Sequence, residues 1–232
     1  MIRFQRQFEP SQIKLLIFDL DGTLIDSRLD LIHSVNAMLR HLGRTDLPGD
    51  VIASYVGDGA PTLIRRALGD PRDESVIKAG LEHFLTYYRA HKLDHTHVYD
   101  GVKDMLTVLH NSNGVRRQMA VLSNKPVIPS RAIVEALGLA GFFTHVYGGN
   151  SFSSKKPDPF GVHTVLRDFG VTARSTLLIG DSDIDVQTAR NADTWAASVT
   201  YGFGSQDREA FPADVYLDRL TDLIPLLGNR GV

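Results

Sequence analysis

Three short, mostly apolar runs, each ending in a polar turn that carries an acid or a hydroxyl, constrain this chain more than any other feature. They are residues 14–18 before Asp19-Leu20-Asp21-Gly22-Thr23, residues 118–122 before Ser123-Asn124-Lys125, and residues 175–179 before Gly180-Asp181-Ser182-Asp183-Ile184-Asp185. Runs of this length bounded by turn signals read as strands buried on both faces. Weaker strand patterns lie at 145–147, 196–199 and 214–217. Helical periodicity fills the gaps: 128–137 stopped by Gly138, 160–169 stopped by Gly170, and 183–191 opened by acids that suit a helix N-terminus. Strands alternating with helices imply an α/β fold with a parallel sheet and right-handed crossovers. In such a sheet, ligands bind beyond the carboxyl ends of the strands, where these polar turns would meet.

Between Ser27 and His97 the strand rhythm stops. Apolar stripes at 31, 32, 35, 39 and 42, at 51, 52, 55 and 56, at 63, 64, 67 and 68, and at 81, 84, 85 and 88 predict four helices, the first three ended by Gly43, Gly57 and Gly69. Four helices inserted after the first strand of an α/β unit predict a small separate bundle. The expected division is a core of 1–25 and 98–232 with an inserted helical cap of 26–97. At 232 residues and 43% hydrophobic, the chain has material for that arrangement.

The polar turns hold a coherent set of chemical groups. Asp19 and Asp21 are two apart, so in extended geometry both carboxylates point one way, and one could attack phosphorus while the other handles protons. The bland alternative is a polar turn. A calcium loop is disfavoured because its twelfth position needs Glu, and counting from Asp19 that position is Asp30. Ser123 can donate to a phosphoryl oxygen, though alone it would read as a loop start. In Lys156-Pro157-Asp158-Pro159 the prolines bias Lys156 and Asp158 toward extended backbone, and a fixed ammonium there would offset the repulsion among clustered carboxylates. Lys125 reads as a solvated neighbour. Asp181 is a candidate ligand for a hard cation such as magnesium, Asp185 follows it by four, and Asp183 reads as a helix-start residue.

The ordered set resembles the haloacid dehalogenase (HAD) superfamily of hydrolases, in its phosphoglycolate phosphatase-like group, over roughly residues 12 to 227. The resemblance implies a HAD-like, Rossmann-type core with an inserted helical-bundle cap. It implies a phosphatase using Mg2+ and an aspartyl-phosphate. In that pattern Asp19 is the nucleophile, Asp21 the acid/base, and Ser123 and Lys156 hold the phosphoryl group. Gly22, Thr23 and Asn124 complete the substrate side, with Thr23 orienting Asp21. Asp19, Asp181 and the backbone carbonyl of Asp21 would hold the metal, with Asp185 acting through water or by holding Lys156. The segment Tyr55-Val56-Gly57-Asp58-Gly59 resembles the family's cap loop, which makes Asp58, Gly59 and Arg65 candidates for the organic part of the substrate. Arg65 could bind a carboxylate; its bland reading is a solvated helix face.

Other readings weigh less. Dehalogenases of the family typically lack the second aspartate, so Asp21 favours phosphate chemistry. A β-phosphoglucomutase-like mutase shares the aspartate pair, and only the residue at Thr23 speaks weakly against it. A catalytically idle binding module would be expected to have lost one of Asp19, Asp21, Lys156 or Asp181. His91, His95 and His97 read as a solvated hinge rather than a metal site, Trp195 as packing, and 202–206 as a surface loop. A formal net charge of −2 gives no reason to expect nucleic acid or an anionic membrane as partner. No apolar run reaches the roughly 20 residues that span a bilayer. With no signal-like apolar core the cytoplasm is the default expectation, and the absence of cysteine constrains the compartment only weakly. The resemblance implies a small phosphorylated metabolite as partner, and a monomer or homodimer is expected.

Overall fold

A computed structural model describes residues 2–6, 8–110, 117–204 and 206–228. The other positions of the expected core ranges lie outside the described residues, as does Ser205 of the expected 202–206 loop. The strands are β1 (Ile2–Phe4), β2 (Leu15–Phe18), β3 (Ile25–Asp26), β4 (His97–Val98), β5 (Gln118–Leu122), β6 (His145–Tyr147), β7 (Thr176–Gly180), β8 (Trp195–Val199) and β9 (Val215–Leu217). Seven of them form one sheet in the order β1-β9-β8-β7-β2-β5-β6, parallel except for β1 against β9.

The strand residues alternate between two cores, as a period of two requires. Leu16 and Phe18 of β2, Met119 and Val121 of β5, and Leu177 and Ile179 of β7 face one core. Leu15, Ile17, Ala120, Leu122 and Leu178 face the other. Helices α5 (Val102–His110), α6 (Val127–Ala136) and α9 (Leu223–Leu227) cover the first face. Helices α7 (Phe160–Phe169) and α8 (Asp183–Asn191) cover the second. Both faces are therefore sealed, which is why the central strands read as unbroken apolar runs.

Chain order sets where the polar turns land. From β2 the sheet grows outward through β5 and β6 on one side and β7, β8 and β9 on the other. The carboxyl ends of β5, β2 and β7 are adjacent, in register Phe18↔Val121 and Phe18↔Ile179. Such a reversal in strand order leaves a crevice at that edge.

Above it stand α1 (Arg28–His41), α2 (Gly49–Ser54), α3 (Ala60–Ala67) and α4 (Glu74–His91). Met38, Ile52, Leu63, Ile64 and Phe84 form their shared interior. Gly80 of α4 admits Met38, Ile64 and Leu68 closely, and a Cβ there would crowd all three. The two passages into and out of this bundle pair as a short antiparallel ladder, β3 against β4. Asp30 braces that junction. Its buried carboxylate accepts from the N–H groups of His95 and Thr96 and from the Thr96 hydroxyl. His97 Nδ1 lies 3.0 Å from the carbonyl of His95, while the His95 ring meets His33 edge to face. The His-x-His pair is thus part of the junction, with His95 and His97 exposed.

Candidate active site

Asp19 and Asp21 leave the end of β2, Ser123 to Lys125 the end of β5, and Asp181 the end of β7. Lys156 comes from the loop between β6 and α7. All six side chains just named by chemistry, Asp19, Asp21, Ser123, Lys125, Lys156 and Asp181, are buried and line one cavity. Cap residues Leu63, Phe84, Leu85 and Tyr88 form its apolar roof.

Two ammonium groups organise the carboxylates. Lys156 Nζ lies 2.7 Å from Asp19 Oδ1 and 2.6 Å from Asp185 Oδ1. The Ser182 hydroxyl and N–H donate to the other Asp185 oxygen, so Asp185 is fixed at the start of α8 with both oxygens engaged. Lys125 Nζ lies 2.9 and 2.8 Å from the two Asp21 oxygens, and Ser27 Oγ donates to Asp21 Oδ1 as well. Burial alone would depress a lysine. The Asp185 and Asp19 charges outweigh it for Lys156, and the Asp21 charge does so for Lys125, so both ammonium groups are held above their usual range.

Burial pushes Asp19 up to about 6, with Asp185 and Asp21 adding to the rise and Lys156 opposing it. Asp181 rises well above the carboxylate range through burial and the charges of Asp185 and Asp19, although the N–H groups of Phe203 and Gly204 donate to its Oδ2. Four buried carboxylates thus face two ammonium groups. Carboxylate oxygens of Asp19, Asp181 and Asp185 lie within 4.8 Å of one another. An all-oxygen cluster with excess negative charge fits a hard divalent cation such as magnesium.

Glycines make this density possible. Gly22 has φ +80°, and a Cβ on it would collide with the Asp181 carboxylate. A Cβ on Gly202 would strike the same side chain. The described residues of the expected 202–206 surface loop are half-buried and engage Asp181: besides the Phe203 and Gly204 donors, Gln206 Nε2 donates to the Asp181 carbonyl.

Several expected site residues are placed differently. Arg65 does not line the cavity; its Nη2 donates to both Glu74 carboxylate oxygens and its Nη1 lies close to Asp70, so local acids have captured the charge. Asp58 is likewise paired with Arg66 at 2.7 Å, away from the lining. Gly59 does line the cavity and approaches the Asn124 carbonyl closely. The Asn124 side chain is spent on backbone, donating to Gly57 O and Lys156 O and accepting from Lys156 N–H. It ties the cap loop to the Lys156 loop. Thr23 does not reach Asp21: its buried hydroxyl has no hydrogen-bond partner among the described residues, and the orienting hydroxyl is Ser27's. Lys125, expected in solvent, is buried against Asp21. Lys125 and Ser27 are the residues that sequence reasoning missed. Ser123 and Asn124 beside Lys125 were the available signal, since a residue next to a strand-end motif is carried into the same crevice.

The sequence profile of the haloacid dehalogenase-like hydrolases matches residues 16–199. The chain is 38% identical to a phosphoglycolate phosphatase of Pseudomonas syringae pv. tomato, over 97% of this chain and 84% of that protein. It is 35% identical to a phosphoglycolate phosphatase of Chromobacterium violaceum, over 94% and 97% respectively. A crystal structure described as a predicted phosphoglycolate phosphatase from Haemophilus somnus superposes with a TM-score of 0.86 at 28% identity, covering 93% of this chain and 98% of that one. The chain belongs to the haloacid dehalogenase-like hydrolase family. Within it, its likeness is to the phosphoglycolate phosphatases, and it is an enzyme of the phosphoric monoester hydrolase class.

Proposed function

We propose that this enzyme hydrolyses a small phosphate monoester, with phosphoglycolate as first candidate, through a magnesium-dependent reaction and an aspartyl-phosphate on Asp19. The observation that carries the reading is the single ammonium of Lys156 bridging Asp19 and Asp185 at 2.7 and 2.6 Å, beside Asp21 and Asp181 in one cavity. The substrate follows from the names of relatives at 38% and 35% identity.

A carboxylate oxygen of Asp19 attacks phosphorus, and the phosphorus–oxygen bond to the leaving alcohol breaks. Asp21, held in place by Lys125 and Ser27, gives its proton to the departing oxygen. The carboxylate so formed takes a proton from water, whose oxygen attacks phosphorus, and the Asp19–phosphorus bond opens to release inorganic phosphate. Ser123 donates to a phosphoryl oxygen, and Lys156 offsets charge there and on Asp19. Asp19, Asp181 and the backbone carbonyl of Asp21 would hold the magnesium ion, with Asp185 steadying Lys156. When bound, that ion supplies Lewis-acid neutralisation of the phosphoryl oxygens. Residues 26–97 act as a cap over the core of 1–25 and 98–232, shielding the site from bulk solvent while admitting the water that hydrolyses the intermediate. The reaction takes place in the cytoplasm, on a soluble metabolite.

The test is a panel of phosphate monoesters assayed for inorganic phosphate with wild type and Asp19→Asn. Wild type should release phosphate and glycolate from phosphoglycolate, and Asp19→Asn should lose on the order of 10⁴-fold or more of that rate with unchanged circular dichroism. Residual activity within tenfold of wild type would refute the nucleophile. Hydrolysis of other esters but not phosphoglycolate would remove the substrate.

A further inference from the structure

The cavity has a second polar corner, to which the reaction above assigns only the Lys125 contact that holds Asp21. Lys125, from the loop after β5, and Tyr88, from α4, line it from opposite sides of the cap–core boundary. Lys125 Nζ sits 4.8 Å from the centre of the Tyr88 ring. An ammonium has three N–H donors, and the two Asp21 oxygens take two of them. Tyr88 is 4% exposed, and its Oη has no hydrogen-bond partner among the described residues. Burial pushes that hydroxyl up to about 12, so it remains an O–H donor at any working pH. Buried donors without acceptors are uncommon in folded proteins and mark places where a ligand or water completes the bonding.

The surroundings narrow the partner. Leu63, Phe84 and Leu85 line the same cavity, and the nearby acids already have donors: Asp21 is engaged by Lys125 and Ser27, and Asp30 by the His95 and Thr96 N–H groups. Lys156, the other lysine lining the cavity, is committed to Asp19 and Asp185. Arg65 is held by Glu74. Ser27 also donates to Asp21, so Asp21 keeps a partner when the Lys125 ammonium is shared.

We propose that Tyr88 Oη and Lys125 Nζ form an anion subsite that receives a carboxylate on the leaving alcohol of the phosphate ester. The proposal rests on the phosphatase reading above and narrows its substrates to phosphate esters of short hydroxy acids. It also gives the cap a part in selection. Tyr88 belongs to the inserted helices and Lys125 to the core, so the subsite exists only where the two meet.

The experiment is calorimetric titration, with magnesium present, of 3-phosphonopropionate and propylphosphonate. These are non-hydrolysable and of equal length, with and without the carboxylate. Wild type should bind the carboxylated compound about tenfold or more tightly than its partner, the margin expected of hydrogen bonds to a charged group. Tyr88→Phe, which removes one oxygen, should cut that margin at least about fivefold, and Lys125→Gln should abolish it. If Tyr88→Phe does not fold, the Lys125→Gln titration carries the same readout. An undiminished margin in either variant, or no margin in wild type, overturns the subsite. Turnover of phosphoglycolate by wild type is measured in parallel. A margin that depends on Tyr88 without turnover upholds the subsite and removes phosphoglycolate as the substrate. Turnover without a margin does the reverse.

Discussion

At the level of single residues, the centre tolerates almost no added volume. Gly22 combines φ +80° with a missing Cβ that would otherwise occupy the space of the Asp181 carboxylate. Gly22→Ala must therefore strain the backbone and displace an acid of the proposed metal site. After chelation, the variant should need at least about tenfold more magnesium than wild type for half-maximal phosphatase activity, in keeping with lost ligand positioning. Identical magnesium titrations would show that Asp181 can move without consequence. The acids and Lys156 were legible in the sequence because each sits in a short motif at a strand end or a proline-braced loop. Lys125 and Ser27 were not. Lys125 is distant in the chain from its partner Asp21, and the Phe18↔Val121 register brings β5 alongside β2. Ser27 is only six residues beyond Asp21, but it lies past the motif, where no spacing marks it. Arg65 and Asp58 misled for the opposite reason: Glu74 and Arg66, close in sequence, already satisfy them.

At the level of elements, the passage between core and cap depends on a few short contacts. Asp30, in the first turn of α1, receives the backbone N–H groups of His95 and Thr96 and the Thr96 hydroxyl, and so sets where β4 begins beside β3. Asp30→Ala leaves those donors without their acceptor and should lower unfolding free energy by about 3 kcal/mol. Urea melts read it, and a loss below about 0.5 kcal/mol, the range of an ordinary surface change, would contradict it. Strands β2, β5 and β7, and helices α7 and α8, were legible because their periodicity is long enough and ends at Gly or acid signals. The two-residue strands β3 and β4 carry no period to detect. Helix α5 has buried residues at 102, 105, 106 and 109, a helical stripe that the sequence reading passed over. Strand β1 pairs antiparallel to β9, a contact decided by the far end of the chain.

At the level of the whole molecule, acid sensitivity is concentrated at buried carboxylates. Asp214 precedes β9 and is fully buried. Burial would raise its pKa, but hydrogen bonds from Arg190, Arg6 and the Ala196 N–H outweigh it and hold the carboxyl below its usual value of 3.8. The unfolded chain then binds a proton at higher pH than the native one. The stabilisation is present above the unfolded value of 3.8 and is lost as pH falls through the lower native value. Thermal melts between roughly pH 5 and pH 2.5 should therefore show a steeper acid decline for wild type than for Asp214→Asn. Parallel curves would mean that Asp214 carries no proton linkage.

The central strand β2 has as its neighbours β5 and β7, both reached only after the inserted helices have been traversed. The helices α1 to α4 can form from contacts close in the chain, whereas these pairings require closure of very large loops. Catalytic competence is therefore among the last properties the nascent chain acquires. A half-folded molecule would carry formed helices and scattered acids, with no shared cavity until its most distant segments have come together.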